Sequence, residues 1–293
     1  MPEDVVADIT GRFFLSGDDE DGGSGTPTTG RIIMTKRRLV LATGDGKVTI
    51  PLSSVIDVNV SSAPQHVKRF FDDTVTIGYE TDGRVRSAVI ESAGETVETF
   101  VAILFRCLLN GRSVAVKHPA RVGGRVRDTP VVEGRLRIKA RRIELVTDGE
   151  TVGIDVEAVM NIDRGNNLGG SSRTTLVVKH VDDAGLSTTT LIAPEESRYV
   201  NLLARYLRIE YDEVREEVEE IELTNPEKRV LVSVHATGGD IDFTNMLDGD
   251  PAYVTNVLNA VRNKDLIVDT PDGVALTPQG RIIVSQRIED VNA

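Results

Sequence analysis

The side chains that could carry out chemistry are few and lie far apart in the sequence. The four histidines do not pair at the i, i+4 spacing by which a helix presents two metal ligands; they are His66, His118, His180 and His235. The single cysteine, Cys107, falls on the apolar side of an expected helix, where a buried small side chain is commoner than a nucleophile. No H-E-x-x-H, Walker or G-x-S-x-G motif occurs. The sequence therefore predicts no enzyme activity, no metal site and no cofactor.

An acidic stretch, SGDDEDGGSGTPTT from Ser16 to Thr29, superficially resembles a calcium-binding loop. It lacks the D-x-D-x-D-G register and the bidentate glutamate that ends such a loop. A mobile acidic loop is therefore the favoured interpretation.

A run of basic residues, Lys36, Arg37 and Arg38, stands out because the formal net charge of the chain is -12. The favoured interpretation is structural: Lys36 and Arg37 form the tip of a tight turn between two antiparallel strands, and Arg38 begins the second strand. The alternative is a patch for phosphate or anionic lipid headgroups, since arginine offers a two-pronged fork to phosphate. The absence of a larger basic cluster around the turn weakens that alternative.

Composition limits the class of protein. Acids outnumber bases by 46 to 34 and most of the bases are arginine, a balance that looks haloarchaeal. In molar salt the Debye length is about 3 Å, so the acidic balance argues only weakly against nucleic acid. No long apolar run or signal sequence is apparent, which predicts a cytoplasmic protein. A length of 293 residues predicts two or three domains.

The chain repeats itself after 104 residues. Gly30-Arg31 returns as Gly134-Arg135, and the run that starts at Thr35 aligns without a gap with the run that starts at Lys139. Such self-similarity predicts two copies of one domain. Each copy shows short β-rich runs separated by turn residues and closed by one helix. The strands predicted in the first copy are Gly30–Met34, Arg38–Thr43, Lys47–Leu52, Val55–Val60, Thr74–Tyr79 and Val85–Ile90.

The closing helices are predicted from apolar residues at helical spacing. The first is expected after a capping box of Ser92 and Glu95 and is expected to stop at Asn110-Gly111. The second follows the predicted strands Thr175–His180 and Ser187–Ile192 and is expected to start at Pro194. Strands followed by one closing helix resemble pleckstrin-homology and GRAM-type domains. The first copy also resembles their T-x-x-R-L and I-x-L-x-x-V wording, at Thr35, Arg38, Leu39, Ile50, Leu52 and Val55.

The remaining sequence predicts an acidic helix and a third domain. The segment Arg208–Leu223 continues the second closing helix as a mostly solvated connector with a thin apolar stripe. From Asn225-Pro226, taken as N-cap and first helical residue, three helices and a β-hairpin resemble a winged helix, as does LTPQGR from Leu276. The predicted fold is thus α+β, with pleckstrin-homology/GRAM-like domains at 1–115 and 116–210, a connector at 211–224 and a winged helix at 226–293.

Winged helices bind DNA or proteins. The third domain has ten acidic and six basic residues, a balance that opposes contact with phosphate. Protein docking is therefore the favoured use.

Domain order, the opening VVADITGRFFLS (Val5–Ser16) and the run GRIIMTKRRLVL together resemble CheF, the archaeal taxis protein family. The resemblance implies a non-enzymatic adaptor between the chemotaxis system and the archaellum motor switch. The implied partners are the phosphorylated response regulator CheY, the CheC and CheD proteins and cytoplasmic motor components. Nucleic acid is not expected as a partner, and a membrane is expected only indirectly, through the motor.

Two surfaces are candidates for docking. One lies on the third domain around Arg262, Lys264 and Arg281. The other is the loop QHVKRFFDD, where Lys68 and Arg69 stand beside Phe70 and Phe71, although burial of both phenylalanines on the sheet is slightly favoured. Two other functions stay open: a winged-helix transcriptional regulator with ligand-sensing domains, and a peripheral protein that binds anionic lipids.

Overall fold

Antiparallel sheets and several helices form an α+β fold. The computed structural model describes residues 3–16, 27–60, 74–92, 97–182, 185–239, 241–247, 250–270 and 273–291. The chain divides into two compact units. The first unit, called the sheet unit below, takes in Met1–Ile154, Met160–His180 and Leu186–Ile209. The second, the terminal unit, takes in Asp155–Val159, Val181–Gly185 and Glu210–Ala293.

The first sheet has seven strands among the described residues, in the order β4-β3-β2-β1-β7-β6-β5. Every neighbouring pair is antiparallel. The strands are β1 Val5–Leu15, β2 Thr28–Thr35, β3 Arg38–Ala42, β4 Lys47–Pro51, β5 Val55–Val60, β6 Val75–Thr81 and β7 Arg84–Ser92. Side chains alternate between the faces of a strand, so Ile32 and Met34 of β2 are both fully buried while Arg31 is exposed. The β6–β7 turn depends on Asp82 and Gly83, which both have positive φ.

The second sheet has the order β12-β11-β10-β8-β15-β14-β13, with β9 paired to β8. Its strands are β8 Ser113–Val122, β9 Arg125–Val126, β10 Val132–Lys139, β11 Arg142–Thr147, β12 Thr151–Asp155, β13 Val159–Leu168, β14 Ser171–Val181 and β15 Ser187–Pro194. The two sheets thus share one strand order. Strand β10 starts and ends 104 residues after β2, and a short 3-10 turn, Val156–Ala158, follows its counterpart Leu52–Ser54 by the same shift. The duplication seen in the sequence is therefore repeated in the backbone.

One helix follows each sheet in the chain: α1, Val97–Leu109, and α2, Ser197–Glu219. Helix α1 ends where Gly111 adopts a φ of 77°, as Asn110-Gly111 predicts. The predicted capping box of Ser92 and Glu95 involves residues outside the described part. The predicted start of the second helix at Pro194 is wrong. Pro194 is buried as the last residue of β15, opposite Val114, and the helix begins three residues later.

Besides the end of α2, the terminal unit contains four α-helices and a hairpin within its described residues. They are α3 Asn225–Thr237, α4 Phe243–Leu247, α5 Pro251–Asn263, β16 Ile267–Thr270, β17 Gly273–Leu276 and α6 Pro278–Val291. The N-cap of α3 is Thr224 rather than the predicted Asn225, and Pro226 stands at the second helical position. The reason is local: the Thr224 backbone N–H donates to Glu227 Oε2 at 2.7 Å, which completes a capping box.

The acidic end of α2 contributes to the core of the terminal unit. Val214 and Val218 are almost fully buried there, packed in one cluster with Val230 and Val261 among others. The outward side of this segment carries exposed residues such as Glu216 and Glu217. The thin apolar stripe read from the sequence is thus the line along which the segment packs.

No helix in the described ranges is long and apolar enough to cross a membrane. Most of the acidic stretch Ser16–Thr29 lies outside the described residues, so the prediction of a mobile loop there stays a prediction.

Candidate protein-binding surfaces

Catalytic or metal-binding groupings were not expected from the sequence. Among the described residues, no group of three or more His, Cys, Asp or Glu side chains is placed to hold a metal ion. His118 Nδ1 and His180 Nε2 both contact Thr190 Oγ1, at 2.7 and 2.9 Å. His180 is buried, so these histidines form part of the packing inside the second sheet. Burial raises the pKa of the Cys107 thiol, while the charge of Lys36 opposes this effect, and a raised pKa disfavours the reactive thiolate.

Arg262, the first predicted docking residue, lies in the last turn of α5 and reaches the hairpin. Its Nε and Nη2 atoms donate to Asp269 Oδ1 at 3.2 and 2.7 Å, and Nη1 donates to Asn259 Oδ1 at 3.0 Å. The Arg262 side chain is 32% exposed and that of Asp269 64% exposed. Arg262 therefore fastens the helix to the first hairpin strand and still presents part of its charge to solvent.

Lys264, the second predicted docking residue, contacts α3 rather than the hairpin. Its Nζ donates to Glu227 Oε1 at 2.7 Å and to the carbonyl oxygen of Glu222 at 2.8 Å. Burial acts to raise the pKa of Glu227, but hydrogen bonds from Lys264 and Thr224 outweigh it and hold the pKa below its ordinary value. The ammonium group of Lys264 thus neutralises a carboxylate whose side chain is only 5% exposed.

Arg281, the third, lies in the first turn of α6 and is half-buried. Its Nε donates to the carbonyl oxygen of Leu276 at 3.3 Å, and burial lowers the pKa of the guanidinium. The three predicted residues are thus engaged by three different parts of the terminal unit. The residues of the other predicted surface lie outside the described part of the chain; they are Lys68, Arg69, Phe70 and Phe71.

The basic turn has the geometry of the favoured interpretation. Thr35 Oγ1 accepts hydrogen bonds from the backbone N–H groups of Arg37 and Arg38, at 3.2 and 3.1 Å, and donates to Glu3 Oε2 at 2.7 Å. Arg38 Nε donates to the same Glu3 oxygen at 3.0 Å. The hydrogen bond from Thr35, more than the charges of Arg38 and Arg37, lowers the pKa of Glu3. The turn is shaped by Thr35, and Lys36 and Arg37 stay exposed at its tip.

Sequence reasoning missed a basic recess in the sheet unit. A cavity of about 290 Å³ is lined by Arg164 from β13, Arg205 and Arg208 from α2, and Asp57 from β5. Arg205 and Arg208, together with Asn201, follow one face of α2 at the i, i+4, i+7 spacing. This spacing was the one sign of the recess in the sequence, but it does not reveal that Asp57 and Arg164 line the same cavity. The recess is called the arginine recess below.

Comparison with known proteins gives three findings. The chain matches the family model described as "Archaeal Chemotaxis signal transduction system protein F" over residues 5–213. It is 40% identical over 293 residues to "Taxis protein CheF2" of Halobacterium salinarum, with 100% of both chains covered. It is 24% identical over 290 residues to "Taxis protein CheF1" of the same organism, with 97% of both chains covered. The last 80 residues lie beyond the family match, but both relatives span nearly all of them.

Among solved structures, Inner Membrane Complex Sub-compartment Protein 3 from Toxoplasma gondii is similar over 40% of this chain and 86% of its own. The TM-score is 0.27 and the sequence identity 13%. At that distance the similarity supports no inference about fold or function.

Proposed function

Since the chain belongs to the CheF family of archaeal chemotaxis signal-transduction proteins, we propose that it is a non-enzymatic adaptor between the chemotaxis system and the archaellum motor switch. The observation that carries the proposal is the 40% identity to a taxis protein along the entire chain. Because the match includes the terminal unit, it relates the whole assembly of sheets, acidic helix and hairpin unit to a taxis protein.

The proposed partners are phosphorylated CheY, CheC and CheD on the signalling side and cytoplasmic components of the archaellum motor on the other. A protein that meets both sides works in the cytoplasm and approaches the membrane only through the motor. An adaptor needs no reaction.

The proposed architecture assigns a fold to each part of the chain. We take each seven-strand path with its following helix as a pleckstrin-homology/GRAM-like domain. The first copy ends near residue 115, and the second copy ends near residue 210. The acidic segment 211–224 connects them to a winged helix at 226–293. The order of three helices, a hairpin and a last helix in the terminal unit supports this assignment.

We propose that the terminal unit docks a protein partner and that Arg262 is its main charged contact. Lys264 neutralises Glu227, a carboxylate only 5% exposed, and Arg281 donates to the Leu276 carbonyl. Arg262 keeps part of its guanidinium at the surface, beside an exposed carboxylate. Arginine is favoured at protein interfaces because its planar fork can bind a partner carboxylate with two hydrogen bonds. The loop that holds Lys68, Arg69, Phe70 and Phe71 is proposed as a second contact.

The test is co-purification of the full chain with CheY from the same cell, in molar salt, with and without beryllium fluoride as the phosphoryl mimic. The eluate is probed for CheC, CheD and motor proteins. We expect capture of CheY that depends on the mimic, together with motor components. Capture of neither CheY nor a motor protein would overturn the proposal. Salt-dependent binding to duplex DNA would then favour a transcriptional regulator, and vesicle co-sedimentation lost in Arg37→Glu would favour a lipid-binding protein.

Three variants localise the contact. Arg262→Gln removes the proposed contact, and Asp269→Asn removes the carboxylate that pairs with Arg262 but keeps the positive charge of Arg262. Lys228→Gln is the matched control, since it loses one positive charge on α3 of the same unit. We expect capture of the partner proteins to fall with Arg262→Gln and to stay at the level of the parent protein with the other two variants. Capture at the parent level by all three variants would mean that the terminal unit docks through other residues or not at all.

A further inference from the structure

The arginine recess has no role in the adaptor proposal and lies wholly within the sheet unit. Strands β5 and β13, which supply Asp57 and Arg164, each stand at the end of the strand order of their sheet. Helix α2 supplies Asn201, Arg205 and Arg208. The recess thus combines one strand from the first copy with a strand and a helix from the second. It is a product of the tandem arrangement, and a single copy does not contain it.

The charges of the recess do not cancel. Three guanidinium groups line it against one carboxylate, that of Asp57. Arg205 Nη2 lies 3.5 Å from Asp57 Oδ2, a long contact. The same carboxylate already accepts hydrogen bonds from its own strand, from the Val58 backbone N–H at 3.0 Å and from Asn59 Nδ2 at 3.1 Å. Asp57 therefore compensates at most one of the three arginines.

The other two arginines of the recess have no partner within the described part of the chain. Neither Arg164 nor Arg208 takes part in an ion pair or a side-chain hydrogen bond there. Both side chains are exposed, whereas several other arginines of the sheet unit are paired with acids in this chain of 46 acidic and 34 basic residues. Arg31, for example, forms two hydrogen bonds with Asp8, the Nε bond at 2.7 Å. Two guanidinium groups in one concave site, neither paired with a described carboxylate, provide donors for an anion from outside.

We propose that the arginine recess binds a phosphate group, either as free phosphate or as part of a small phosphorylated molecule. Arginine is suited to this because its fork matches two phosphate oxygens, and the Asn201 amide adds a further donor. A volume of about 290 Å³ is at the lower end of the range for small-molecule sites. Ile56 and Ala204 supply apolar surface for the part of the molecule that carries the phosphate. In molar salt, direct hydrogen bonds matter more than long-range attraction, since charges are screened beyond about 3 Å.

The experiment titrates the full-length protein in molar KCl with inorganic phosphate and, separately, with adenosine monophosphate. Binding is measured by calorimetry and by the arginine Nε–H resonances in nitrogen-15 spectra. We expect the resonances of Arg164, Arg205 and Arg208 to move together with one dissociation constant. Tighter binding of adenosine monophosphate would identify a phosphate ester as the ligand type, and equal binding would identify phosphate itself.

Matched variants decide whether the recess is the site. Arg164→Gln and Arg208→Gln should each weaken phosphate binding by about ten-fold or more, since each removes a hydrogen bond to a charged group. Arg106→Gln, an exposed arginine on α1 outside the recess, should leave the dissociation constant unchanged. Because Arg164 and Arg208 have no partner among the residues that the structure describes, these variants should keep the thermal midpoint of the parent protein. Arg208→Lys provides a second variant that keeps the positive charge but loses the two-pronged fork.

Three results would overturn the proposal. The first is that neither probe produces heat or resonance shifts. The second is that Arg106→Gln weakens binding as much as the recess variants do. The third is that a short polyglutamate peptide shifts the three arginine resonances while phosphate does not, which would make the recess a docking site for an acidic protein segment. None of these depends on whether CheY or motor proteins are captured, so failure of this proposal is distinguishable from failure of the adaptor proposal.

Discussion

The rings of Phe105 and Tyr206 pack against each other, with centroids 5.5 Å apart and planes inclined by 54°. Phe105 lies on α1, after the first sheet, and Tyr206 on α2, after the second, so the pair joins the helices of the two copies within the sheet unit. The Tyr206 hydroxyl also donates to the carbonyl oxygen of Lys139 at 2.9 Å, at the end of β10. Through the ring contact and the hydrogen bond, Tyr206 links α1 of the first copy to α2 and β10 of the second.

Truncation of Phe105 should strongly destabilise the sheet unit. Phe105 is fully buried, so Phe105→Ala should lower the free energy of unfolding by about 3–5 kcal/mol through lost burial and a cavity. Tyr206→Phe keeps the ring and loses only the hydrogen bond, which should cost about 1 kcal/mol. Urea denaturation in molar KCl, followed by circular dichroism, measures both. Tyr253→Phe, at an exposed tyrosine, is the control, and equal losses in all three variants would contradict the role given to the pair.

The Gly30→Ala variant should be destabilising even though its backbone φ is not in the positive region. A methyl group at Gly30 would overlap the carbonyl oxygen of Ala42 on β3 and would lie 2.8 Å from the Phe13 ring. Overpacking of this kind costs about 1–3 kcal/mol, whereas an unhindered Gly→Ala change often stabilises a protein. Gly46, which has open space around it, provides that comparison.

The same denaturation series measures the glycine variants. We expect Gly30→Ala to lower the midpoint and Gly46→Ala to leave it unchanged or raise it slightly. At Gly134, the counterpart of Gly30 in the second copy, the nearest backbone oxygen would be 2.8 Å from the new methyl group. Gly134→Ala should therefore lie between the other two. An order in which Gly30→Ala is the mildest of the three would show that β2 and β3 can move apart at little cost.

Much of the β-structure is predictable because apolar residues alternate with exposed ones. The predicted strand Gly30–Met34 lies inside β2, and the predicted Val55–Val60 coincides with β5. Strand β1 was not predicted as a strand, although it lies at the centre of the first sheet. Its sequence contains Gly11, which reads locally as a strand breaker. In the fold, this glycine makes room for the Glu91 carbonyl of the neighbouring β7, a close approach that sequence alone does not reveal.

Candidate sites were less predictable than strands. The basic character of Arg262 and Lys264 was clear, but their partners, Asp269 and Glu227, lie 7 and 37 positions away in the chain. Whether a charged side chain at a surface serves binding or structure depends on such partners. The arginine recess was missed for the same reason, because Asp57 of the recess meets Arg205 across 148 positions. Single-sequence patterns report periodicity within one element and not the meeting of three elements.

The Cys107 thiol should react slowly with alkylating reagents. Burial raises its pKa, so the reactive thiolate is scarcer at pH 8 than in an unstructured cysteine peptide. The positive charge of Lys36 partly opposes this shift. Lys36→Gln should therefore slow iodoacetamide labelling further, while Lys47→Gln, at an exposed lysine on β4, should not. Mass spectrometry of timed samples gives the rates, and faster labelling in Lys36→Gln would contradict the electrostatic coupling.

The contact between Glu227 and Lys264 should make the stability of the terminal unit depend on pH in a specific window. Hydrogen bonds from Lys264 and Thr224 hold the pKa of Glu227 below its ordinary value in the folded state. A lowered folded pKa adds stability that is complete above the unfolded pKa, about 4.3, and is lost as the pH falls through the folded pKa. Glu227→Gln should thus cost about 1–3 kcal/mol at pH 7. Native-state hydrogen exchange of the α3 amides measures this cost, and the cost should shrink steadily below pH 4.3.

Glu220→Gln, at an exposed glutamate, is the control for general charge effects. A cost for Glu227→Gln that stays constant down to acid pH would show that shape, not charge, explains the contribution of Glu227.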